Sequence, residues 1–250
     1  MIAKRFFGLL LLVWSAFPFP AIRAGECAEN RLFLTFDDGP REGTREILEL
    51  LVQEQVPGTF FLVGEHFINA GRKETFKMLL ASPLVQIANH SLTHAHERYR
   101  EFYGNPEGMV RDFTKNNAIL GFNQPPFVTR LPSRIDWRFD DRYIATHSYP
   151  AHSDKGVPEG VAKLFAAGFV IYGWDIEWHK KGRSGPLDQV ETVLGKIKNR
   201  FASRQTVKPG KVVLLMHDFH FNSPEAIGRL RHLVRECKRE GYAFSLMREY

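Results

Sequence analysis

The sequence predicts an α/β barrel, a single domain in which parallel strands form an inner sheet and helices pack outside it. Three observations predict this fold. Short apolar or β-branched runs alternate with amphipathic stretches from residue 31 onward, which is typical of repeated strand-helix units. No Gly/Ser-rich linker, low-complexity tract or internal repeat divides the chain. The length of 250 residues also suits one barrel domain.

The alternation yields a specific order of strands and helices. Helical spacing is clear at 44–55, where Ile47, Leu48, Leu51 and Val52 recur on one face. The predicted helices are 44–55, 74–81, 106–122, 158–167, 187–201 and 224–240. The predicted strands are 31–36, 58–63, 84–88, 127–131, 143–148, 169–174, 211–216 and 242–247.

The N-terminus has the pattern of a secretory signal peptide. A basic start precedes an apolar run of about 14 residues at 6–19, and Ala24 is a small residue at a suitable cleavage point. We therefore expect residues 1–24 to be removed and 25–250 to be exported, to the periplasm or the exterior. A transmembrane anchor is the alternative. The apolar run is shorter than the ~20 residues a spanning helix needs, so we expect no stable membrane span after cleavage.

Net charge and cysteine content limit the binding partners and the disulfide bonds that the sequence predicts. The net charge is +6, and three of the basic residues lie in the predicted signal peptide. No clustered basic stripe remains, which argues against nucleic acid as a partner. Cys27 and Cys237 are the two cysteines. In an oxidising compartment they permit a disulfide that joins the start of the mature chain to its last helix, with two isolated thiols as the alternative.

Polar residues recur where the predicted strands end. Since reacting groups of such barrels gather at the C-terminal ends of the strands, a shared end indicates a shared site. Core polar residues have no reason to choose the same end each time. The residues at strand ends are Asp37, Asp38, His90, Arg130, Trp174, Asp175 and His217.

Two of these strand ends carry metal-binding chemistry. Thr35-Phe-Asp-Asp-Gly-Pro40 places two carboxylates at a turn, and His90-Ser-Leu-Thr-His94 spaces two imidazoles i, i+4, a known way to grip zinc. We expect Asp38, His90 and His94 to form a facial ligand set with open positions for water. The set suits zinc (Zn2+) or another first-row divalent metal. The alternatives are a turn with solvated acids and two surface histidines.

A hydrolase also requires a base and an acid. Asp37, adjacent to the expected ligand Asp38, is the candidate base. His217 is the candidate acid, since histidine titrates near neutral pH. Arg130 can fix the Asp37 carboxylate by a charge-assisted hydrogen bond. A structural histidine and a surface arginine are the alternatives.

With these motifs the sequence resembles the polysaccharide deacetylases with the NodB homology domain, carbohydrate esterase family 4. The Thr35-Phe-Asp-Asp-Gly-Pro40 and His90-Ser-Leu-Thr-His94 motifs carry the resemblance. Three later motifs fall in family order: Arg130-Leu-Pro-Ser-Arg134, Trp174-Asp-Ile-Glu-Trp178 and Leu215-Met-His217. The resemblance covers essentially the whole chain after the predicted signal peptide.

The resemblance implies a distorted (β/α)7 barrel with zinc held by Asp38, His90 and His94. It implies Asp37 as general base, positioned by Arg130, and His217 as the acid that protonates the leaving amine. The implied substrate is an N-acetylated hexosamine in a β-1,4-linked polysaccharide such as peptidoglycan or chitin, and the reaction releases acetate.

Two departures from the family motifs concern residues that touch or support the substrate. Ser133 and Arg134 stand where the family usually has an aromatic residue and glycine, and we expect Arg134 to narrow the groove. The backbone N–H after the motif's proline belongs to Ser133 and commonly helps hold the oxyanion in this family. The usual Asp-Trp pair is absent. The acid that tunes His217 is then Asp175 or Glu177, and Trp178 is expected to line the groove.

Two other functions remain open at this point. The same site could hydrolyse an O-acetyl ester on a polysaccharide, because an activated water attacks esters and amides alike. The altered motifs also allow a catalytically impaired homologue that only binds glycans. Intact candidates for the base, the acid and all three metal ligands argue against impairment.

Overall fold

A computed structural model describes residues 30–146, 156–180 and 185–250. The strands are β1 Arg31–Gly39, β2 Gly58–Leu62, β3 Val85–Asn89, β4 Phe127–Thr129, β5 Ile135–Trp137, β6 Ile144–Thr146, β7 Phe169–Ile171, β8 Ile176–Glu177, β9 Lys211–His217 and β10 Ala243–Phe244. The helices are α1 Thr44–Glu54, α2 Ala70–Ala81, α3 Tyr99–Tyr103, α4 Pro106–Leu120, α5 Val157–Ala166, α6 Val190–Ser203 and α7 Pro224–Arg239. Short 3-10 turns lie at Gly64–His66, His94–Glu97, Asp218–Phe221 and Met247–Glu249.

The main sheet is parallel and follows the order β7-β4-β3-β2-β1-β9-β8, with β10 added beside β1. This path of seven strands confirms the predicted distorted (β/α)7 arrangement. It is a half-barrel, because no ladder joins β7 to β8 in the described parts of the chain. In the register of β1 and β9, Asp37 lies opposite His217. Strand alignment alone therefore brings the candidate base and acid to one end of the sheet.

Both faces of β1 are buried, as expected for a central strand of a parallel sheet. Leu32, Leu34 and Phe36 are fully or almost fully buried and pack in the core between the sheet and α1, α6 and α7. Phe33 points the other way and packs with Phe61 and Val213 inside the half-barrel. The alternation of a strand explains why neighbouring residues serve two different cores.

The structure corrects one predicted strand. Segment 143–148 was expected to be a barrel strand, but β6 pairs antiparallel with β5 in a separate two-stranded sheet. In this pairing Trp137 lies opposite Ile144. Pairing with β5 satisfies backbone N–H and C=O groups of β6 that would otherwise have to pair in the main sheet. Residues 147 and 148 lie outside the described residues.

Several boundaries also differ from the predicted ones. Helix α2 begins at Ala70, because the Asn69 side chain caps it by accepting a hydrogen bond from the Arg72 N–H at 2.9 Å. The predicted strand 169–174 ends at Ile171 and the closing strand 242–247 shortens to β10. The short elements α3, β5 and β8 were not predicted.

The predicted signal peptide and Cys27 lie outside the described residues. Cys237 is buried in the core on α7, where burial raises the pKa of its thiol to about 12. Of the helices in the described ranges, none has both the length and the apolar character required to cross a bilayer.

Candidate metal centre and active site

A cavity of about 390 Å³ opens at the C-terminal ends of the parallel strands. Most of the residues predicted from strand ends meet here, together with groups from the loops that follow the strands. The cavity is lined by Asp37, Asp38, His90, His94, Tyr99, Ser133, Ile135, Trp174, Glu177, His179, Lys180, Leu215 and His217.

Three lining side chains form a candidate metal site, and they are the three predicted ligands. One atom each of Asp38, His90 and His94 lies within 4.8 Å of the others. Asp38 Oδ1 is 3.3 Å from His94 Nε2 and 3.6 Å from His90 Nε2. This Oδ1 atom is buried and has no hydrogen-bond partner among the described residues. A buried carboxylate oxygen without a partner is costly, and a cation between the three side chains would satisfy it.

The His90 ring is fixed by the backbone of a neighbouring strand end. His90 Nδ1 donates to the Arg130 carbonyl at 2.9 Å, which turns Nε2 towards Asp38. Such a bond to the distal ring nitrogen is usual for a metal-binding histidine, since it fixes the tautomer and orientation. The second histidine has a different neighbour, because His94 Nδ1 lies 3.4 Å from the Tyr99 hydroxyl.

The segment between the two histidines is a loop and not a regular helix. Ser91 has φ 69°, His94 φ 49° and Ala95 φ 58°, all in the left-handed region. This conformation costs an L-residue roughly 1–2 kcal/mol, so other contacts must hold the loop. Its shape still brings the His90 and His94 rings together, with centroids 5.1 Å apart.

The electrostatics of the site favour the protonation states that a metal requires. Burial lowers the pKa of His90 to about 4, so this imidazole is neutral at pH 7. Burial opposes ionisation of Asp38, but His94, His217 and His90 together lower the pKa of its carboxyl below the usual value. A neutral imidazole and an ionised carboxylate are the ligand forms that bind divalent metals.

Asp37 is held by a fully buried arginine. Arg130 Nη1 donates to Asp37 Oδ1 and to Thr35 Oγ1, both at 2.8 Å. The rest of the guanidinium donates to the Tyr172 carbonyl at 3.1 Å and the Gly173 carbonyl at 2.8 Å. Because these bonds run to β1 and to the two residues that follow β7, the sheet itself orients the Asp37 carboxylate.

The opposite wall of the cavity carries His217 and Glu177. His217 Nδ1 is 4.0 Å from Glu177 Oε1, and His179 Nδ1 is 3.4 Å from the same oxygen. Asp175 is turned away, because its Oδ2 accepts the Val213 N–H at 2.8 Å. Burial raises the pKa of Asp175 to about 6. Of the two acids left open by the sequence, Glu177 is the one next to His217.

Trp178 is not groove-lining, and the expectation that it lines the groove was wrong. Its side chain is fully buried, packs on Phe221 and donates from Nε1 to the Asp188 carbonyl at 3.0 Å. Side chains alternate along a strand, so Trp178 faces the outer helices once Glu177 faces the cavity. Trp174 lines the cavity instead.

The 130–134 motif, which departs from the family pattern at Ser133 and Arg134, does not narrow the cavity. Ser133 lines the cavity with φ 57°. Arg134 was expected to narrow the groove, but its side chain is buried. Its Nε donates to Asp136 Oδ2 at 2.6 Å, and its guanidinium lies 5.3 Å from the centre of the Tyr103 ring. An ion pair with Asp136 therefore removes Arg134 from the cavity wall.

Two residues near the metal site, His66 and Tyr99, were not predicted. His66 donates from Nδ1 to the Asp38 carbonyl at 2.7 Å, and burial lowers its pKa. His66 follows β2, so its strand-end position was a readable signal. Tyr99 is the first residue of α3, a helix that was not predicted, and no pattern in the sequence indicates it.

Residues 24–133 match the family model described as polysaccharide deacetylase, and this stretch contains all three candidate ligands. Peptidoglycan-N-acetylglucosamine deacetylase of Bacillus cereus is 27% identical over 226 residues, covering 87% of this chain and 69% of that protein. Chitin disaccharide deacetylase of Vibrio alginolyticus is 22% identical over 306 residues, covering 89% and 71%.

A solved structure has the same fold. The catalytic domain of peptidoglycan N-acetylglucosamine deacetylase from Eubacterium rectale aligns with a TM-score of 0.63 at 19% identity, covering 89% of this chain and 90% of that one. At this identity the likeness concerns the fold alone. Taken together, these findings lead to one conclusion: residues 24–133 match the polysaccharide deacetylase family, and relatives named as deacetylases, which align with most of the chain, support an enzyme of this kind.

Proposed function

We propose that the protein is a metal-dependent deacetylase that removes N-acetyl groups from N-acetylhexosamine residues of a β-1,4-linked polysaccharide and releases acetate. One observation carries the proposal: the Asp37 carboxylate, locked by buried Arg130, lies beside the Asp38, His90 and His94 cluster in an open cavity. That juxtaposition gives a proton acceptor next to a cation site, which is what amide hydrolysis by water needs.

Asp38, His90 and His94 would hold zinc or another first-row divalent metal. Bound there, the metal would supply Lewis acidity and make water a stronger nucleophile at neutral pH. The chain's own residues supply proton transfer and orientation. Asp37 takes the proton of the attacking water, and the hydrogen bond from Arg130 orients its carboxylate.

His217 acts on the leaving group. It donates a proton to the amide nitrogen as the C–N bond breaks, so that acetate and a free amine are the products. The carboxyl group of Glu177 lies beside this imidazole, with its Oε1 4.0 Å from His217 Nδ1. Ser133 lines the cavity, and its backbone N–H would donate to the oxygen that gains negative charge.

The substrate is proposed to be peptidoglycan or a chitin-like glycan. Two relatives have names that specify peptidoglycan N-acetylglucosamine and a chitin disaccharide. A second cavity of about 520 Å³ adjoins the first and shares Ile135, Trp174, Glu177 and His179 with it. The joined space favours a substrate longer than one sugar, and the Trp174 face offers a stacking surface. Export through the N-terminal segment would bring the enzyme to such a polymer.

The test is acetate release from peptidoglycan and from N-acetylglucosamine oligomers by the purified protein, with zinc and with chelator. We expect zinc-dependent release from at least one glycan, and its loss in Asp37→Ala. An O-acetyl esterase would instead release acetate from acetylated xylan and leave both N-acetylated glycans intact. Glycan binding without any acetate release in zinc would support the impaired homologue.

A further inference from the structure

We infer that Asp112, on helix α4, is a positioning residue that holds the 90–94 loop in the shape that brings both histidines to Asp38. The inference rests on the proposed metal site, and it assigns to α4 a role beyond packing. Asp112 touches neither the metal cluster nor the cavity. It acts through the backbone between the two histidines.

The contacts of Asp112 are with the middle of the loop. Its Oδ1 accepts the Leu92 N–H at 2.7 Å and, at 3.4 Å, the Thr93 N–H. Its Oδ2 accepts the Thr93 hydroxyl at 2.8 Å. Both carboxylate oxygens are therefore used on two consecutive residues that lie between His90 and His94.

The loop needs such an external acceptor because of its own backbone. It leaves β3, passes through left-handed Ser91 and enters a turn of left-handed residues that begins at His94. The N–H groups of Leu92 and Thr93 belong to no helix or sheet ladder. Amides in such a segment require a partner when they lose water, and the Asp112 carboxylate is that partner.

Helix α4 holds the start of the loop as well. Asn116, one turn after Asp112, donates from Nδ2 to Asn89 Oδ1 at 2.8 Å, and the same Oδ1 accepts the Ser91 N–H at 2.8 Å. Residues four apart lie on one helical face. Asp112 and Asn116 thus present a polar face that fixes the loop at two points, and the Ser91 hydroxyl accepts the His94 N–H at 2.9 Å as a third.

The experiment compares Asp112→Ala and Asp112→Asn with wild type and with Thr114→Ala. Thr114 is exposed on the same helix, and its hydroxyl bonds only the Val110 carbonyl of that helix. Zinc affinity is measured by competition with a chelating dye. Hydrogen exchange at Leu92 and Thr93 is measured in the metal-free protein. Alanine has a higher helix propensity than aspartate, so Asp112→Ala does not weaken α4 itself.

We expect Asp112→Ala to weaken zinc affinity roughly 10- to 100-fold, as for other groups that support metal ligands. Amide exchange at Leu92 and Thr93 should accelerate in parallel. Asp112→Asn keeps an oxygen for the amides and should stay within about threefold of wild type, the effect of one altered neutral hydrogen bond. Thr114→Ala should match wild type in both measurements.

Equal zinc affinity of Asp112→Ala and wild type would overturn the inference, as would equal exchange at Leu92 and Thr93. If Asp112→Ala does not fold, Thr93→Ala removes only the hydroxyl contact and should weaken zinc affinity by a smaller factor; unchanged affinity there would also count against it. A wild type that binds no zinc would instead refute the metal site, which separates the two failures.

Discussion

Two walls of the cavity differ in the burial and spacing of their side chains: the wall with the candidate base Asp37 (the base wall) and the wall with the candidate acid His217 (the acid wall). On the base wall, the side chains of Asp37 and Arg130 are 3% and 0% exposed and 2.8 Å apart. On the acid wall, the side chains of His217 and Glu177 are 23% and 18% exposed and 4.0 Å apart. His217 Nδ1 has no hydrogen-bond partner among the described residues.

Position in the sheet explains this difference. Asp37 lies near the end of β1, an interior strand, and Arg130 is bonded both to Asp37 and to the Gly173 carbonyl after β7. Glu177 belongs to β8, a two-residue strand at the edge of the sheet. The base wall is therefore preorganised. The acid wall has the looser geometry of catalytic groups that tighten when substrate arrives.

The largest effect is expected on the base wall. Asp37→Asn keeps the shape of the side chain but removes its capacity to accept a proton, so the rate of acetate release should fall roughly 10²- to 10⁴-fold. Zinc affinity should stay near wild type, because Asp37 is not one of the clustered ligands. Retention of more than a tenth of the activity would contradict its role as base.

Removal of the buried arginine should also have a large effect, on stability. Arg130→Met leaves the Asp37 carboxylate buried without its partner, which costs about 3–5 kcal/mol in unfolding free energy. Arg45→Ala is the control, since Arg45 pairs with Glu49 at 2.9 Å on the surface and such a pair is worth about 0–1 kcal/mol. Urea denaturation measures both. Similar losses in the two variants would show that Arg130 is not the anchor of this wall.

The acid wall should respond according to the leaving group. His217→Ala removes the proton donor, so we expect roughly 10²-fold slower release from an N-acetylated glycan. An activated aryl acetate ester needs little protonation of its leaving group and should lose far less. The ratio of the two rates checks this. Equal losses on amide and ester would assign His217 to binding rather than to proton donation.

The smallest expected effect separates the two acids near His217. Glu177→Gln removes the charge beside the imidazole and should lower kcat about tenfold, the equivalent of roughly 1.4 kcal/mol. Asp175→Asn is the matched control. Asp175 bonds the Val213 N–H, which an amide oxygen can still accept, and kcat should be unchanged. The reverse pattern would make Asp175 the acid that tunes His217.

Strand ends were readable from the sequence because parallel strands place their carboxyl ends together. This brought Asp37, Asp38, His90 and His217 to one cavity, as predicted, and Arg130 is buried next to it and bonded to Asp37. The error at Trp178 arose because β8 is only two residues long, and so short a strand shows no periodicity to fix which side chain faces inward.

The shape of the 90–94 loop and the pairing of β6 could not be predicted from the sequence, because they depend on contacts with other segments of the chain. The 90–94 loop depends on Asp112, about 20 residues further along, and nothing in the helical pattern of α4 marks that contact. Strand β6 was predicted as a barrel strand because nothing in its own segment indicates that it pairs antiparallel with β5. Pairing partners are not encoded in such short runs.

We expect acetate release to require a metal held by Asp38, His90 and His94. The direct test is to strip the protein with chelator and titrate zinc back while acetate release from N-acetylglucosamine oligomers or peptidoglycan is followed. We predict no release without metal and full recovery at about one zinc per chain, as expected for a single site, with no recovery in His94→Ala. Undiminished release in the stripped protein, or equal recovery in His94→Ala, would contradict it.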